Sequence, residues 1–265
     1  GMAQGCSDIH LAVGVPPMLR LHGDLVPIKF RDLGDQELEG YVEEILTDSQ
    51  RARFRKSEDI DFSYVSSDGS RFRVNVFHKA TGAGATFRNI PSSVPSLDSL
   101  GLPPVLQKFC DLHQGMVLVT GSTGTGKSTT LAAMIDYINT TSNSNIISLE
   151  DPIEFVHASK RSQIVQRELG THIPSFAEGV RASLREDPDV ILVGELRDGE
   201  TINMAMTAAE TGHLVLGTLH TTSAVKSVDR IIDALPADQR EQTKSFLAHS
   251  LHAVGTQNLV KAPDG

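Results

Sequence analysis

Eight consecutive residues, Gly121-Ser122-Thr123-Gly124-Thr125-Gly126-Lys127-Ser128, satisfy G-x-x-x-x-G-K-[ST] at every specified position, the spacing of a loop that cradles phosphate. Glycine at 121, 124 and 126 frees the backbone to turn successive N–H groups inward, where a helix N-terminus adds its positive end. Lys127 is placed to bridge the β- and γ-phosphates, and the Ser128 hydroxyl, followed by Thr129, to take a position on Mg²⁺. The flanks fit that use. Met116-Val117-Leu118-Val119-Thr120 is an apolar run of buried-strand type, and Thr129 to Asn139 carries Leu131, Ile135 and Ile138 at helical spacing. The chemistry predicted is phosphoryl transfer with ATP and Mg²⁺.

Hydrolysis needs a group to orient water. Val190-Ile191-Leu192-Val193-Gly194-Glu195 is a buried strand delivering a carboxylate, which makes Glu195 the first candidate base. In the usual second motif of such enzymes Asp precedes Glu and holds the metal. Gly194 stands at that position, so Mg²⁺ must rest on Ser128, the phosphates, water and Glu195 itself. Glu154, at the end of Glu150-Asp151-Pro152-Ile153-Glu154, is the rival for the base. His213 and His220 bracket another apolar strand, Leu214 to Leu219; on pattern alone they read first as structural hydrogen-bonding histidines. Arg73 and Arg88 lie on strands earlier in the chain, where alternating charge reads first as an exposed sheet face.

The elements around these residues form two groups. From about residue 95 onward, strands alternate with helical segments around Phe176 to Arg185, Thr201 to Thr211 and Val225 to Ala234. That alternation predicts a mostly parallel α/β sheet covered on both faces, with four strand ends gathering polar groups on one edge. Residues 1–94 read as a smaller α+β domain. Strands are expected at Ile9–Val13, Met18–Leu21, Ile60–Val65, Arg71–Phe77 and Ala85–Ile90, with a turn at His22-Gly23-Asp24 and one acidic helical stretch from Asp35 to Phe54. Pro91 to Ser96 has linker composition.

Composition sets outer limits. A net charge of -9 opposes a broad electrostatic footprint on nucleic acid, so no nucleic-acid partner is expected. No apolar run approaches the ~18 residues that span a bilayer, and the start lacks a secretory pattern. Cys6 and Cys110 form no C-x-x-C pair, which fits a reducing compartment. A cytoplasmic protein without direct membrane insertion is expected. Gly1 before Met2 reads as an expression scar and the stop at Gly265 as the end of a fragment.

Four ordered motifs resemble the secretion ATPase superfamily. They are the phosphate loop running into Thr129-Thr130; Glu150 to Phe155; Arg185-Glu186-Asp187-Pro188-Asp189 leading to Gly194-Glu195-Leu196-Arg197-Asp198; and Gly212-His213-Leu214 through Thr218-Leu219-His220-Thr221. Within the superfamily the chain is most similar to the PilT-like branch of type IV pilus retraction ATPases. The resemblance runs from about Ser7 to Lys261. It implies a PAS-like N-terminal domain, a RecA-like P-loop ATPase domain, and a homohexamer with ATP sites between subunits. It also implies partners in the pilus machinery, with an inner-membrane platform protein holding the motor peripherally at the membrane. Carried over residue by residue, it places an Asp box on Glu150 to Glu154, an atypical Walker B on Asp189 to Glu195, and a His box on His213 to His220. Arg73 and Arg88 then become nucleotide-reaching arginines, and the histidines a γ-phosphate sensor or inter-subunit relay. Extension and secretion members commonly carry a zinc insertion after a segment like Gln257-Asn258-Leu259-Val260-Lys261. Here Ala262-Pro263-Asp264-Gly265 follows, so no structural zinc is expected and retraction is favoured. The family's C-terminal helical region and most of the helix before Ser7 have no counterpart in the chain. Extension or type II secretion work, or a regulatory subunit that binds ATP without productive turnover, stand as alternatives.

Overall fold

Alternating side chains build the first sheet. In the computed structural model, which describes residues 5–91 and 93–260, the chain divides into two compact units, Gly1–Ser92 and Ser93–Gly265. Met2 and the segment from Lys261 to Gly265, on which the readings of a scar and of a missing zinc insertion rest, lie outside the described residues. Strands β1 (Asp8–Ala12), β2 (Met18–Leu21), β3 (Asp24–Pro27), β4 (Ile60–Val65), β5 (Arg71–Lys79) and β6 (Gly82–Ile90) pair in the order β3-β2-β1-β6-β5-β4, antiparallel at every junction. One face buries Phe72, Val74, Val76 and Ala85 against Leu38 and Val42 of helix α1 (Asp35–Ile45). The other carries Arg71, Arg73 and Asn75, as alternation demands.

Two local differences from expectation have clear causes. The acidic helical stretch is two helices, because Thr47 caps α2 (Asp48–Phe54): its hydroxyl accepts from the Gln50 N–H, and the Gln50 carboxamide accepts from the Thr47 N–H at 2.9 Å. This reciprocal box fixes a helix start inside the stripe. The turn at His22-Gly23 is the tip of a hairpin, with φ of 49° and 94°, and Leu21 pairs with Asp24 across it. The returning strand β3 is exposed along its length and so shows no buried alternation in sequence.

The second unit is an all-parallel sheet. Strands β7 (Gly115–Thr120), β8 (Asn145–Glu150), β9 (Gln163–Glu168), β10 (Val190–Val193), β11 (Leu214–Leu219) and β12 (Leu251–Thr256) lie in the order β12-β7-β11-β10-β8-β9. Strands β7, β10 and β11 are buried at every residue, the mark of a sheet covered on both faces. On one face α3 (Val105–Cys110) and α4 (Lys127–Thr141) bring Cys110, Leu131, Met134, Ile135 and Ile138. On the other, α5 (Phe176–Ser183), α6 (Gly199–Glu210), α7 (Ala224–Asp233) and α8 (Arg240–Ser250) bring Phe176, Val180, Ile202, Ile231 and Phe246. Among the described residues no helix is long and apolar enough to cross a membrane. The flanking strands β9 and β12 were not foreseen, since both are sheet edges of mixed polarity.

A candidate nucleotide site at the carboxyl edge of the parallel sheet

Strand β7 ends at Thr120 and α4 begins at Lys127, so the loop between them opens on the carboxyl edge, where parallel sheets place their ligands. Gly121, Gly124 and Gly126 have φ of 144°, 82° and 91°. At Gly121 a Cβ would lie 2.4 Å from the Gln257 carbonyl oxygen, so glycine is required for space as well as for conformation. No side chain caps the start of α4, which leaves its first N–H groups to an anion. Ser128 and Thr129 are half-buried in that first turn, and Ser122 and Thr123 are exposed on the loop. Thr125 braces the loop by donating its hydroxyl to the Ser122 carbonyl at 2.8 Å.

Lys127 is 8% exposed, and its ammonium donates to the carbonyls of Gly121 and Ser122, both at 2.9 Å. Burial holds its pKa below the ordinary lysine value, and the charges of Glu195 and Glu154 offset that only in part. The two rival carboxylates therefore both act on the phosphate-binding lysine. Gln257 supports the loop from behind. Its N–H donates to the Thr120 carbonyl at 2.8 Å and its carboxamide to the Thr130 hydroxyl at 2.8 Å. Sequence reasoning missed this role, because nothing local marks a glutamine that follows an edge strand.

Strands β8, β10 and β11 deliver the remaining groups. Glu195 Oε2 accepts from Arg197 Nε at 2.5 Å, and Oε1 lies 3.1 Å from His220 Nε2. Arg197 Nη1 stands 3.3 Å from Asp151 Oδ2. Glu154 is exposed. Glu150 accepts from the Ser148 hydroxyl at 2.7 Å and the Gln166 carboxamide at 3.0 Å, and burial still pushes its carboxyl pKa up. Glycine at 194 has a packing cause: its N–H donates to the Leu149 carbonyl at 2.7 Å, and a Cβ would stand 3.0 Å from that oxygen and 3.3 Å from Glu150 Cα. The Thr218 hydroxyl also donates to the Gly194 carbonyl. A side chain there fits only if the β8 backbone gives by a few tenths of an ångström, so glycine is the relaxed choice at the metal-holding position of the usual motif. Among the described residues no group of three or more His, Cys, Asp or Glu side chains could hold a metal ion. A hydroxyl, one carboxylate and phosphate oxygens suit Mg²⁺, which keeps several waters and takes few protein ligands.

Other candidates lie elsewhere. His213 precedes β11, and Nδ1 is 2.9 Å from the Ala208 carbonyl and 3.2 Å from the Thr211 hydroxyl. At about 3.3 Å per strand residue it is roughly 20 Å from His220, on the opposite edge. Asp189 shares that far edge, accepting from the Asn145 N–H at 2.7 Å. In the first unit Arg73 and Arg88 are register partners on β5 and β6, both exposed. Arg88 Nε donates to Asp8 Oδ1 at 2.9 Å. Burial pushes the Asp8 carboxyl up, but hydrogen bonds from Arg88 and Ser7 outweigh it and hold the group below its ordinary value.

Comparison with known proteins bears on what this edge does. The family described as "Type II/IV secretion system protein" matches residues 44–264. The chain is 50% identical over 262 residues to the "Type IV pilus retractation ATPase PilT" of Pseudomonas aeruginosa, covering 99% of this chain and 76% of that protein. It is 54% identical over 249 residues to the "Twitching motility protein" of Neisseria gonorrhoeae, covering 94% and 67%. A crystal structure of the pilus retraction motor PilT with bound ADP superposes with a TM-score of 0.95 at 43% identity, covering all of this chain and 77% of that one. The fold is thus the expected RecA-like P-loop domain preceded by a small PAS-like α+β domain. The match over most of the sequence and the identity over nearly all of it show that the chain belongs to the type II/IV secretion system protein family.

Proposed function

We propose that the chain hydrolyses ATP as a subunit of the motor that retracts type IV pili in twitching motility. The observation that carries this reading is the phosphate loop itself, in which the buried Lys127 ammonium donates to the Gly121 and Ser122 carbonyls at 2.9 Å on the same sheet edge that delivers Glu195, and the match to the retraction motor is near full length on this side. Lys127 exchanges its two loop carbonyls for phosphate oxygens, and Gly121 to Gly126 and the first turn of α4 supply N–H donors. Mg²⁺, held by Ser128 and phosphate with Glu195 at hand, would supply charge neutralisation. Glu195 orients the attacking water, with Glu154 as the other carboxylate in range of Lys127. Catalysis is then positioning and charge stabilisation.

The same reading makes the assembly a homohexamer. Arg73 and Arg88 reach a nucleotide held by a neighbouring subunit, and His213, remote from Glu195 within its own chain, serves an inter-subunit contact. The motor is cytoplasmic and meets the inner membrane through a platform protein. Two measurements test this. Phosphate release from ATP by the purified chain should require Mg²⁺ and stop with EDTA. Deletion of the gene should leave cells piliated but unable to twitch, and bald cells would indicate an extension motor instead.

A further inference from the structure

Arg197 has no part in the chemistry above, yet its side chain joins two of the three groups at this edge. Nε meets Glu195 Oε2 at 2.5 Å, Nη1 stands 3.3 Å from Asp151 Oδ2, and the Arg197 carbonyl accepts from Arg230 Nη2 at 3.3 Å. From the other side His220 Nε2 approaches Glu195 Oε1 at 3.1 Å. The carboxylate end is the sheltered one: the Glu195 side chain is 20% exposed against 50% for Arg197.

The contact with both oxygens has a geometric consequence. A carboxylate hydrogen-bonded at one oxygen by an arginine, with an imidazole nitrogen 3.1 Å from the other, is restrained in its plane, and each oxygen keeps a lone pair for water. Without the arginine, the carboxylate keeps only the approach of His220 Nε2 at 3.1 Å to one oxygen and is free to turn. A carboxylate whose plane turns does not hold an attacking water in one line.

The geometry points to Arg197 as the positioning residue of the water-orienting carboxylate: anchored on Asp151, its planar fork holds Glu195 beside His220. The role rests on the hydrolysis reading. It also assigns Asp151 a task, that of fixing Arg197, and it strings the ends of β8, β10 and β11 into one chain of contacts, Asp151 to Arg197 to Glu195 to His220. Lysine cannot reproduce this, since a point charge lacks a fork that spans two carboxylates.

The test compares steady-state ATP hydrolysis and binding of a fluorescent ATP analogue in the full chain, unsubstituted and as Arg197→Ala, Arg197→Lys, Asp151→Asn, Glu195→Gln and Glu195→Gln/Arg197→Ala. Arg197→Ala should lower kcat by about ten- to a hundredfold, the scale seen when the partner of a reacting ligand is removed, with KM and analogue affinity changed by less than about twofold. Millimolar guanidinium ion should restore part of that kcat, Arg197→Lys less, and Asp151→Asn should fall between wild type and Arg197→Ala. The double variant should be no slower than Glu195→Gln, because Arg197 acts only through Glu195. The proposal is overturned by a kcat for Arg197→Ala within about twofold of wild type, by a loss confined to KM or analogue affinity, or by a double variant clearly slower than Glu195→Gln. Absence of turnover in the unsubstituted chain would overturn the hydrolysis reading and this role with it, whereas turnover that Arg197→Ala leaves intact removes the positioning role alone.

Discussion

The Lys127 ammonium donates at 2.9 Å to the carbonyl of Gly121, the first residue of its own loop. Binding a phosphate therefore exchanges neutral carbonyl acceptors for charged oxygens, and charged hydrogen bonds are the stronger kind. Lys127→Ala should weaken ATP binding by about a hundredfold, from two bonds of roughly 1.5 kcal/mol or more each. Its melting temperature should hold or rise, since the substitution also removes a buried charge. Titration with a fluorescent analogue and a thermal melt measure both; near-normal affinity would contradict the assignment of the loop.

Glu195→Gln should keep ATP bound and slow its hydrolysis by about 10²- to 10⁴-fold, the usual worth of a positioned base. Glu195 accepts from Arg197 and has His220 Nε2 3.1 Å from its other oxygen, whereas Glu154 is exposed, so Glu154→Gln should cost much less. Single-turnover rates decide between them. A slow Glu154→Gln beside a normal Glu195→Gln would reverse the roles.

Arg88 is turned outward on its sheet and tied by Nε to Asp8, which leaves its terminal amino groups for an anion. Arg88→Ala should lower turnover by ~10³-fold, as loss of an arginine that stabilises transferred phosphate does. If it serves a neighbour's nucleotide, mixing Arg88→Ala with Lys127→Ala chains should recover activity that neither has alone. Mixtures that never exceed the separate variants would exclude a shared site.

Glu150 supplies a pH signature. Burial raises its carboxyl pKa, so the fold favours the protonated form; that contribution is present at low pH and is lost as pH rises through the raised value. Relative to wild type, Glu150→Gln should therefore gain melting temperature between pH 4 and pH 7.5. A difference independent of pH would show that the charge carries no cost there.

How far the sequence can be read follows from where each signal resides. The phosphate loop depends on local spacing, and β10 and β11 are unbroken apolar runs because both their faces are covered, so motif and strands declare themselves together. The edge strands β3, β9 and β12 have one neighbour each; full exposure along β3 and mixed burial along β9 and β12 erase the pattern. Gln257 reaches Thr130 across 127 residues, and the grip of Arg197 on Asp151 joins different strand ends. Contacts made by topology leave no trace in spacing. Gly194 shows the opposite case, a visible departure from the usual motif whose tight fit against β8 appears only in three dimensions.

The register of β12 beside β7 puts Thr256 level with Thr120, so the chain leaves the sheet through Gln257, whose carbonyl stands where a Cβ on Gly121 would be. This seats the exit of the last strand on the entrance of the phosphate loop, like a pawl on a ratchet tooth. The loop and the exit of the last strand therefore share one set of contacts, and a coupling between two such places is felt equally from either end.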